Sequence, residues 1–193
     1  MISLLKKPKS IFFLLTLFTV VFLLNSCNST KNHKTTPDTY IKKYMDKEAF
    51  EIQRAVKDSK VERVGDSIKV TFTNEIFFDH NQYTLKPQAE SSVKKLVIIL
   101  KKYSKTYNII QGHTDDTGND DYNLSLSYKR AEEVKHFLSL NGIEEKRMNA
   151  YGVGDTQPVA SNNNEEGKAK NRRVVIWITV DYGLKEEAEA RTQ

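Results

Sequence analysis

The sequence predicts a single α+β domain in which a mixed sheet carries two main helices packed on one side. Apolar residues alternate with polar ones over 61–72, recur at helical spacing over 87–103 and 125–140, and form a nearly continuous run over 174–180. Helices that separate strands along a chain tend to pack together against one side of a sheet. The 193 residues suffice for one such domain with appendages and are too few for two ordinary domains.

The N-terminus has the pattern of a secretory signal. Three lysines and no acidic residue precede the run at 11–24, which is apolar except for two threonines. Because a membrane-spanning helix needs roughly 20 apolar residues, this run is short for a span and fits the apolar core of a signal peptide. The residues that follow, LNSC at 24–27, resemble the lipobox of bacterial lipoproteins. That resemblance implies that 1–26 is a cleaved signal peptide and that Cys27 carries acyl chains such as palmitate. The alternative is a plain signal peptide with a cysteine nearby by chance.

The charge and the cysteine count argue against several classes of protein. The formal charge of the chain is +5, and removal of the three leader lysines lowers it to +2. Acidic and basic residues are interspersed, so we expect no nucleic-acid partner. Cys27 is the only cysteine, so neither an intrachain disulfide nor a cysteine zinc site can form.

Two segments separate the modified cysteine from the predicted domain. Residues 27–39 comprise the lipidated Cys27 and a polar stretch that predicts a flexible tether. Residues 40–60 predict an amphipathic helix, because apolar residues recur at helical spacing at Ile41, Met45, Ala49, Ile52 and Val56. This stripe can pack on the domain or on a partner protein, and packing within the chain is the commoner outcome.

The domain itself is predicted at residues 61–182. A Gly-Asp turn at 65–66 between two alternating segments indicates a β-hairpin, and helix, strand, helix and strand follow. A long polar loop at 152–171 leads to the last strand, whose apolar character predicts a central position covered on at least one face. The charged tail at 183–193 is expected to be frayed or to form a short helix.

Five short motifs occur in order along the predicted domain. They are FFDHN at 77–81, GHTDDTG at 112–118, NLSLSYKRA at 123–131, YGVG at 151–154 and NRRV at 171–174. Together they resemble the OmpA-like domain, the peptidoglycan-binding module of OmpA C-termini, Pal lipoproteins and MotB. The resemblance spans about residues 68–180 and implies a β-α-β-α-β-β mixed sheet that works without a cofactor. It also implies that the ligand is the diaminopimelate side chain of the peptidoglycan stem peptide.

The free end of diaminopimelate carries an ammonium and a carboxylate, so its site needs a fixed anion beside a fixed cation. Asp115 follows a predicted strand, and Arg130 lies on the next helix, where long side chains lean toward the N-terminus, so both reach the same end of the sheet. The resemblance implies that Asp115 binds the ammonium and Arg130 the carboxylate. It also implies that Asn81, Asn123 and Arg172 surround the pocket and add hydrogen bonds. Without it, Asp115 could simply cap its loop and Arg130 could be a solvated helix charge.

His113 beside Asp115 raises the question of a metal site or a hydrolase. A metal site needs three or four converging ligands, but His33 lies in the tether, His80 in a loop and His136 well along the second helix. We therefore expect no metal, and we expect His113 to be a hydrogen-bonded residue at the end of a strand. No serine stands in a recognisable nucleophile motif, so the chain is not predicted to be an enzyme.

These features predict a lipid-anchored outer-membrane protein whose domain faces the periplasm and couples the membrane to the cell wall by binding peptidoglycan. The alternative is a wall-anchoring subunit of a larger envelope complex, such as a secretion or motility machine, that docks a protein partner through the stripe at 41–56. An OmpA-type porin is excluded, because the roughly forty residues between Cys27 and the start of the OmpA-like resemblance near residue 68 cannot supply eight membrane strands.

Overall fold

A computed structural model gives the fold of the chain and describes residues 36–79 and 81–192. The predicted signal peptide, the predicted lipidation site Cys27 and most of the predicted tether lie outside these residues, as does His80. Within the described ranges, no helix is both long enough and apolar enough to cross a membrane.

A five-stranded mixed sheet forms the centre of the fold. Its strands are β1 (Ser59–Val64), β2 (Ser67–Thr73), β3 (Thr106–His113), β4 (Met148–Gly152) and β5 (Arg173–Val180). Their spatial order is β1-β2-β5-β3-β4, and all neighbours are antiparallel except β3 and β4, which are parallel. The last strand therefore lies in the middle of the sheet, as its apolar sequence predicted.

The described residues also form six α-helices and a single 3₁₀ turn at Glu145–Arg147. The helices are α1 (Pro37–Ala55), α2 (Asn74–Phe77), α3 (Pro87–Lys102), α4 (Asp120–Leu140), α5 (Glu165–Asn171) and α6 (Tyr182–Thr192). The α+β class is confirmed. Helix α5 lies inside the segment that the sequence predicted as a loop, and α4 begins five residues before the predicted start at 125.

The two main helices, α3 and α4, pack on one face of the sheet. Val70, Ile110 and Ile176 lie opposite one another on adjacent strands and are fully buried. Leu96 of α3 and Val134 of α4 are buried in the same core. Because alternate residues of a strand point to the same face, these contacts put both helices on the same side, as predicted.

Helix α1 belongs to the same core and begins earlier than the sequence predicted. Met45 and Ile52 are fully buried there, so most of the apolar stripe packs within the chain. The Thr36 hydroxyl accepts a hydrogen bond of 3.2 Å from a backbone N–H of the first turn, and Pro37 occupies a position that needs no N–H donor. The helix thus starts inside the predicted tether, and it ends at Ala55 rather than near residue 60.

The charged tail forms helix α6, which packs against α1. Leu184 and Ala188 are fully buried. Glu187 accepts a hydrogen bond of 2.9 Å from the Tyr40 hydroxyl and pairs with Lys105 at 2.6 Å. Of the two outcomes expected for the tail, the structure shows the helix.

Candidate functional site

Two glycines allow α4 to approach the ends of β3 and β4. A Cβ atom on Gly112 would lie 2.0 Å from the carbonyl oxygen of Ser127, and one on Gly152 would lie 2.6 Å from that of Leu124. No side chain fits into either gap, so this packing requires glycine at both positions. The close approach brings the N-terminal half of α4 beside the loop that leaves β3.

A cavity of about 530 Å³ lies where α2, α4 and α5 meet that loop. All five site residues predicted from the sequence line it: Asn81, Asp115, Asn123, Arg130 and Arg172. Asp115 and Arg130 therefore face the same cleft rather than separate surfaces. Glu75, Tyr122 and Glu165 also line the cavity and were not predicted.

Asp115 carries its negative charge in the wall of this cavity. Its Oδ2 atom lies 2.6 Å from Nη1 of Arg172, and its Oδ1 atom accepts the backbone N–H of Thr117 at 2.9 Å. Burial acts to raise the pKa of Asp115, but these hydrogen bonds outweigh it and hold the pKa below its ordinary value. The carboxylate is therefore ionised at neutral pH.

Arg130 is a buried cation with no carboxylate partner in the described part of the chain. It is 3% exposed, its Nε atom donates to the carbonyl oxygen of Gln82 at 3.0 Å, and its guanidinium lies 5.3 Å from the centre of the Phe78 ring. Burial lowers the pKa of Arg130 to about 10, so the group stays protonated at neutral pH. Its terminal nitrogens can bind an acceptor that enters the cavity.

Arg172 lies between α5 and β5 and faces three acidic side chains. Besides the bond to Asp115, its Nη2 atom is 2.5 Å from Oε1 of Glu165 and 4.0 Å from Oε1 of Glu75. Burial acts to lower the pKa of Arg172, but the hydrogen bonds to Asp115 and Glu165 raise it above its ordinary value. Arg172 was expected to hydrogen-bond the ligand, whereas its partners in the structure are acids of the chain itself.

The two asparagines occupy different parts of the cavity. Asn123 is buried on α4, and its Nδ2 atom donates to the backbone carbonyl of Asp115 at 3.3 Å, which supports the loop. Asn81 is exposed and has a φ of +55°, a left-handed conformation that asparagine tolerates better than most residues.

His113 and Arg173 do not line the cavity and are hydrogen-bonded to each other at the end of the sheet. Nδ1 of His113 accepts a bond of 3.1 Å from Arg173, which also donates to the carbonyl oxygens of Gln157 and Asn171. Burial, with the charge of Arg173, lowers the pKa of His113 to about 3, so the ring is neutral. His113 is thus the hydrogen-bonded residue expected at the end of this strand. In residues 36–79 and 81–192, no three His, Cys, Asp or Glu side chains are grouped to hold a metal ion.

Sequence reasoning missed the two glutamates because it assigned no structure to their segments. Glu165 begins α5, whose local signal is the cap at Asn164: this side chain accepts the backbone N–H of Gly167 at 2.8 Å. An asparagine followed by two glutamates is typical of a helix start and could have indicated α5. Glu75 lies on α2, a helix of only four residues.

The fold and the cavity define a small α+β domain with a charged binding pocket. The model of the OmpA family matches residues 77–172, which include all five predicted site residues. The peptidoglycan-associated lipoprotein of Buchnera aphidicola subsp. Baizongia pistaciae is 30% identical over 172 residues, which cover 88% of this chain and 98% of that protein. The chain therefore belongs to the OmpA family.

Two further similarities extend the comparison. The probable lipoprotein YiaD of Escherichia coli strain K12 is 36% identical over 138 residues, which cover 70% of this chain and 63% of YiaD. The solved structure of the cell wall anchor of the T6SS from Pseudomonas aeruginosa has a TM-score of 0.62 at 28% identity. That match covers 71% of this chain and 97% of the anchor.

Proposed function

We propose that this chain binds peptidoglycan without catalysing a reaction on it, through the diaminopimelate residue of the stem peptide. One relative, which aligns with this chain over 98% of the relative's own length, is a peptidoglycan-associated lipoprotein. The observation that carries the proposal is the guanidinium of Arg130, buried without a carboxylate partner among the described residues, in the same cavity as the carboxylate of Asp115.

The two charges of the diaminopimelate end match these two side chains. The terminal nitrogens of Arg130 form a planar fork that suits a carboxylate, and this hydrogen bonding offsets the cost of a buried, unpaired cation. Asp115 binds the ammonium, since its carboxylate is an anion that accepts hydrogen bonds from a cationic donor. The amides of Asn81 and Asn123 supply further polar contacts around the ligand, and Arg172 lines the same cavity.

The proposal includes a lipid anchor at Cys27 in the outer membrane, with the domain in the periplasm. The sequence at 24–27 matches a lipobox, and two relatives are named as lipoproteins. Thr36 caps α1, so the chain from Cys27 to the first helix spans at most about 30 Å when fully extended. The anchor confines the domain beside a polyvalent wall, so weak single contacts suffice to couple membrane and wall.

Sedimentation with insoluble sacculi tests the binding proposal. A fragment of residues 28–193 contains every residue of the sheet and of the helices packed on it, so it should fold without the lipid. We expect the wild-type fragment to sediment with the sacculi. Asp115→Ala and Arg130→Ala should each weaken binding roughly ten- to hundredfold, because each leaves one ligand charge without its partner, which costs about 1.5–3 kcal/mol.

Two charge-matched variants serve as controls. Asp116 is adjacent to Asp115 but pairs with Lys168 and does not line the cavity, and Arg54 is exposed on α1. Asp116→Ala and Arg54→Ala should sediment like the wild type. Equal sedimentation of all variants would reject the cavity as the site. Circular dichroism checks that each variant is folded, and Arg130→Lys replaces Arg130→Ala if the latter is not.

The similarity to the cell wall anchor of the T6SS favours a second function, as a wall-anchoring subunit of a larger envelope complex. Most of the stripe at 41–56 is buried in the chain's own core, so a partner would have to bind the exposed face of α1, where Phe50 is 56% exposed. A purified complex that Asp115→Ala retains and Phe50→Glu loses would favour this function. A chain that stays free in solubilised envelopes would favour the first.

A further inference from the structure

Arg172 already pairs with the Asp115 carboxylate, to which the ligand ammonium would bind. Its Nη1 atom lies 2.6 Å from Oδ2 of Asp115, and the other carboxylate oxygen accepts the backbone N–H of Thr117. Arg130, by contrast, has no carboxylate partner in the described part of the chain. An incoming carboxylate therefore meets an available cation, whereas an incoming ammonium meets an anion that is already paired.

Arg172 also has acidic partners other than Asp115, at the mouth of the cavity. Its Nη2 atom lies 2.5 Å from Glu165 and 4.0 Å from Glu75, and these glutamate side chains are 77% and 71% exposed. A guanidinium has five N–H donors in a fixed fork, so Arg172 can lose one carboxylate and keep the other. The side chain of Asp115 is only 10% exposed, so a move of Arg172 from Asp115 to Glu165 carries it toward solvent.

The ligand ammonium and the Arg172 guanidinium would repel each other if both bound Asp115. Like charges close together disfavour each other strongly where water is largely excluded, and Asp115 is such a place. Because Arg172 is already hydrogen-bonded to Glu165, the free-energy cost of breaking its ion pair with Asp115 is lower. A ligand that carries only a carboxylate does not create this repulsion and leaves Arg172 where it is.

We propose that Arg172 is a specificity-determining residue that breaks its ion pair with Asp115 when the ligand ammonium binds there. Glu165 is the positioning residue that receives Arg172, and Glu75 adds a second acid on the same side. This inference rests on the proposed function, because it requires a ligand with an ammonium beside a carboxylate. It explains why a pocket suited to one zwitterion contains a second arginine and two additional acids.

Two stem peptides that differ at one residue test this exchange. One carries diaminopimelate, and the other carries 2-aminopimelate, which keeps the distal carboxylate and lacks the distal ammonium. Glu165→Gln removes the charge that receives Arg172, so the dissociation constant of the diaminopimelate peptide should rise about three- to fivefold, as for an exposed ion pair. The dissociation constant of the 2-aminopimelate peptide should not rise. Calorimetry on residues 28–193 measures both.

Glu166→Gln is the matched control, because it removes the same charge from the same turn of α5. The Glu166 side chain is 81% exposed, pairs with Lys170 at 2.6 Å and does not line the cavity. The Glu166→Gln variant should bind both peptides like the wild type. The Glu165→Asp variant, which keeps the negative charge, should retain most of the wild-type affinity for the diaminopimelate peptide. A crystal structure of the diaminopimelate complex should show the Arg172 guanidinium out of hydrogen-bond distance of Asp115.

Three results would overturn the exchange: equal diaminopimelate affinity of Glu165→Gln and Glu166→Gln, an equal loss for both peptides, or an intact Arg172–Asp115 bond in the complex. After any of these results the proposed function still holds, provided that the wild type binds diaminopimelate and that Asp115→Ala binds it more weakly. A wild-type chain that binds neither peptide would reject the proposed function and the exchange together.

Discussion

Arg130 and Glu48 are both buried ionisable residues, and burial affects their charges differently. Arg130 keeps its charge, because its pKa falls only to about 10, and it can therefore bind an anion. Glu48 of α1 is fully buried, and the Thr106 hydroxyl only partly offsets the loss of water around its carboxylate. Burial raises the pKa of Glu48 to about 8, although the charge of Arg147 opposes this. Glu48 is thus mostly neutral at pH 7 in the folded chain.

The raised pKa of Glu48 predicts how the stability of the folded chain depends on pH. Between its ordinary pKa of 4.5 and about 8, the folded state keeps a proton that the unfolded state has released. The free energy of unfolding should therefore fall as pH rises through this window, by up to about 1.4 kcal/mol per pH unit from this residue. Glu48→Gln should remove this contribution. Chemical denaturation at several pH values across the window measures the slope.

Glu51→Gln is the control for this pH dependence. Glu51 lies on the same helix, and the hydrogen bond from Lys102 lowers its pKa instead of raising it. This variant should keep the decline of stability with rising pH. Identical slopes for the wild type and Glu48→Gln would show that Glu48 does not cause the decline.

The packing of α4 on β3 is the element-scale feature on which the cavity depends. Gly112→Ala would place a methyl group 2.0 Å from the carbonyl oxygen of Ser127, so the helix must move away from the strand. We expect a loss of about 1–3 kcal/mol in the free energy of unfolding. Binding of the stem peptide should also weaken, because Arg130 moves with α4 and Asp115 with β3. Denaturation and calorimetry measure the two effects.

Gly183→Ala provides the comparison, since the nearest atom to an added Cβ is 3.5 Å away and the site lies in helix α6. It should be neutral or stabilise the chain by up to about 1 kcal/mol, because alanine favours a helix over glycine. If Gly112→Ala unfolds at the same denaturant concentration as the wild type, the close approach of α4 is not what holds the cavity together.

Local patterns predicted the elements that bury an apolar stripe and missed those that do not. Helices α3 and α4 and the central strand β5 each carry such a stripe, and the sequence placed them within a few residues. In α5 only Gly167 and Asn171 are buried, so no periodic pattern of apolar residues predicts this helix. Thr36 and Pro37 are a start signal for α1 that the polar composition of the predicted tether obscured.

The partners of the site residues were harder to predict than their identities. The motifs identified Asp115, Arg130 and Arg172, but not that Arg172 pairs with Asp115 across 57 residues. That pair depends on β5 lying beside β3 in a register that puts Arg173 opposite His113. Strand order and register are non-local properties, and a period of apolar residues in one segment does not determine them.

At the scale of the whole molecule, the proposed anchor and the binding domain act together. The acyl chains would hold one end of the chain in the membrane, and the linker before α1 limits how far the domain can reach. A wall with many stem peptides lets the domain release one and bind the next while it stays nearby. Under the proposed function, membrane and wall are thereby coupled without a covalent bond.

The dissociation constants of residues 28–193 for stem peptides with diaminopimelate or lysine at the same position test most directly whether both charges are bound at once. Lysine has the ammonium but lacks the distal carboxylate, so Arg130 would stay buried without a carboxylate partner. We predict that the lysine peptide binds roughly a hundredfold more weakly, and that Arg130→Ala reduces this difference to a few fold. Equal affinity of the wild type for the two peptides would contradict recognition of a zwitterion by Asp115 and Arg130.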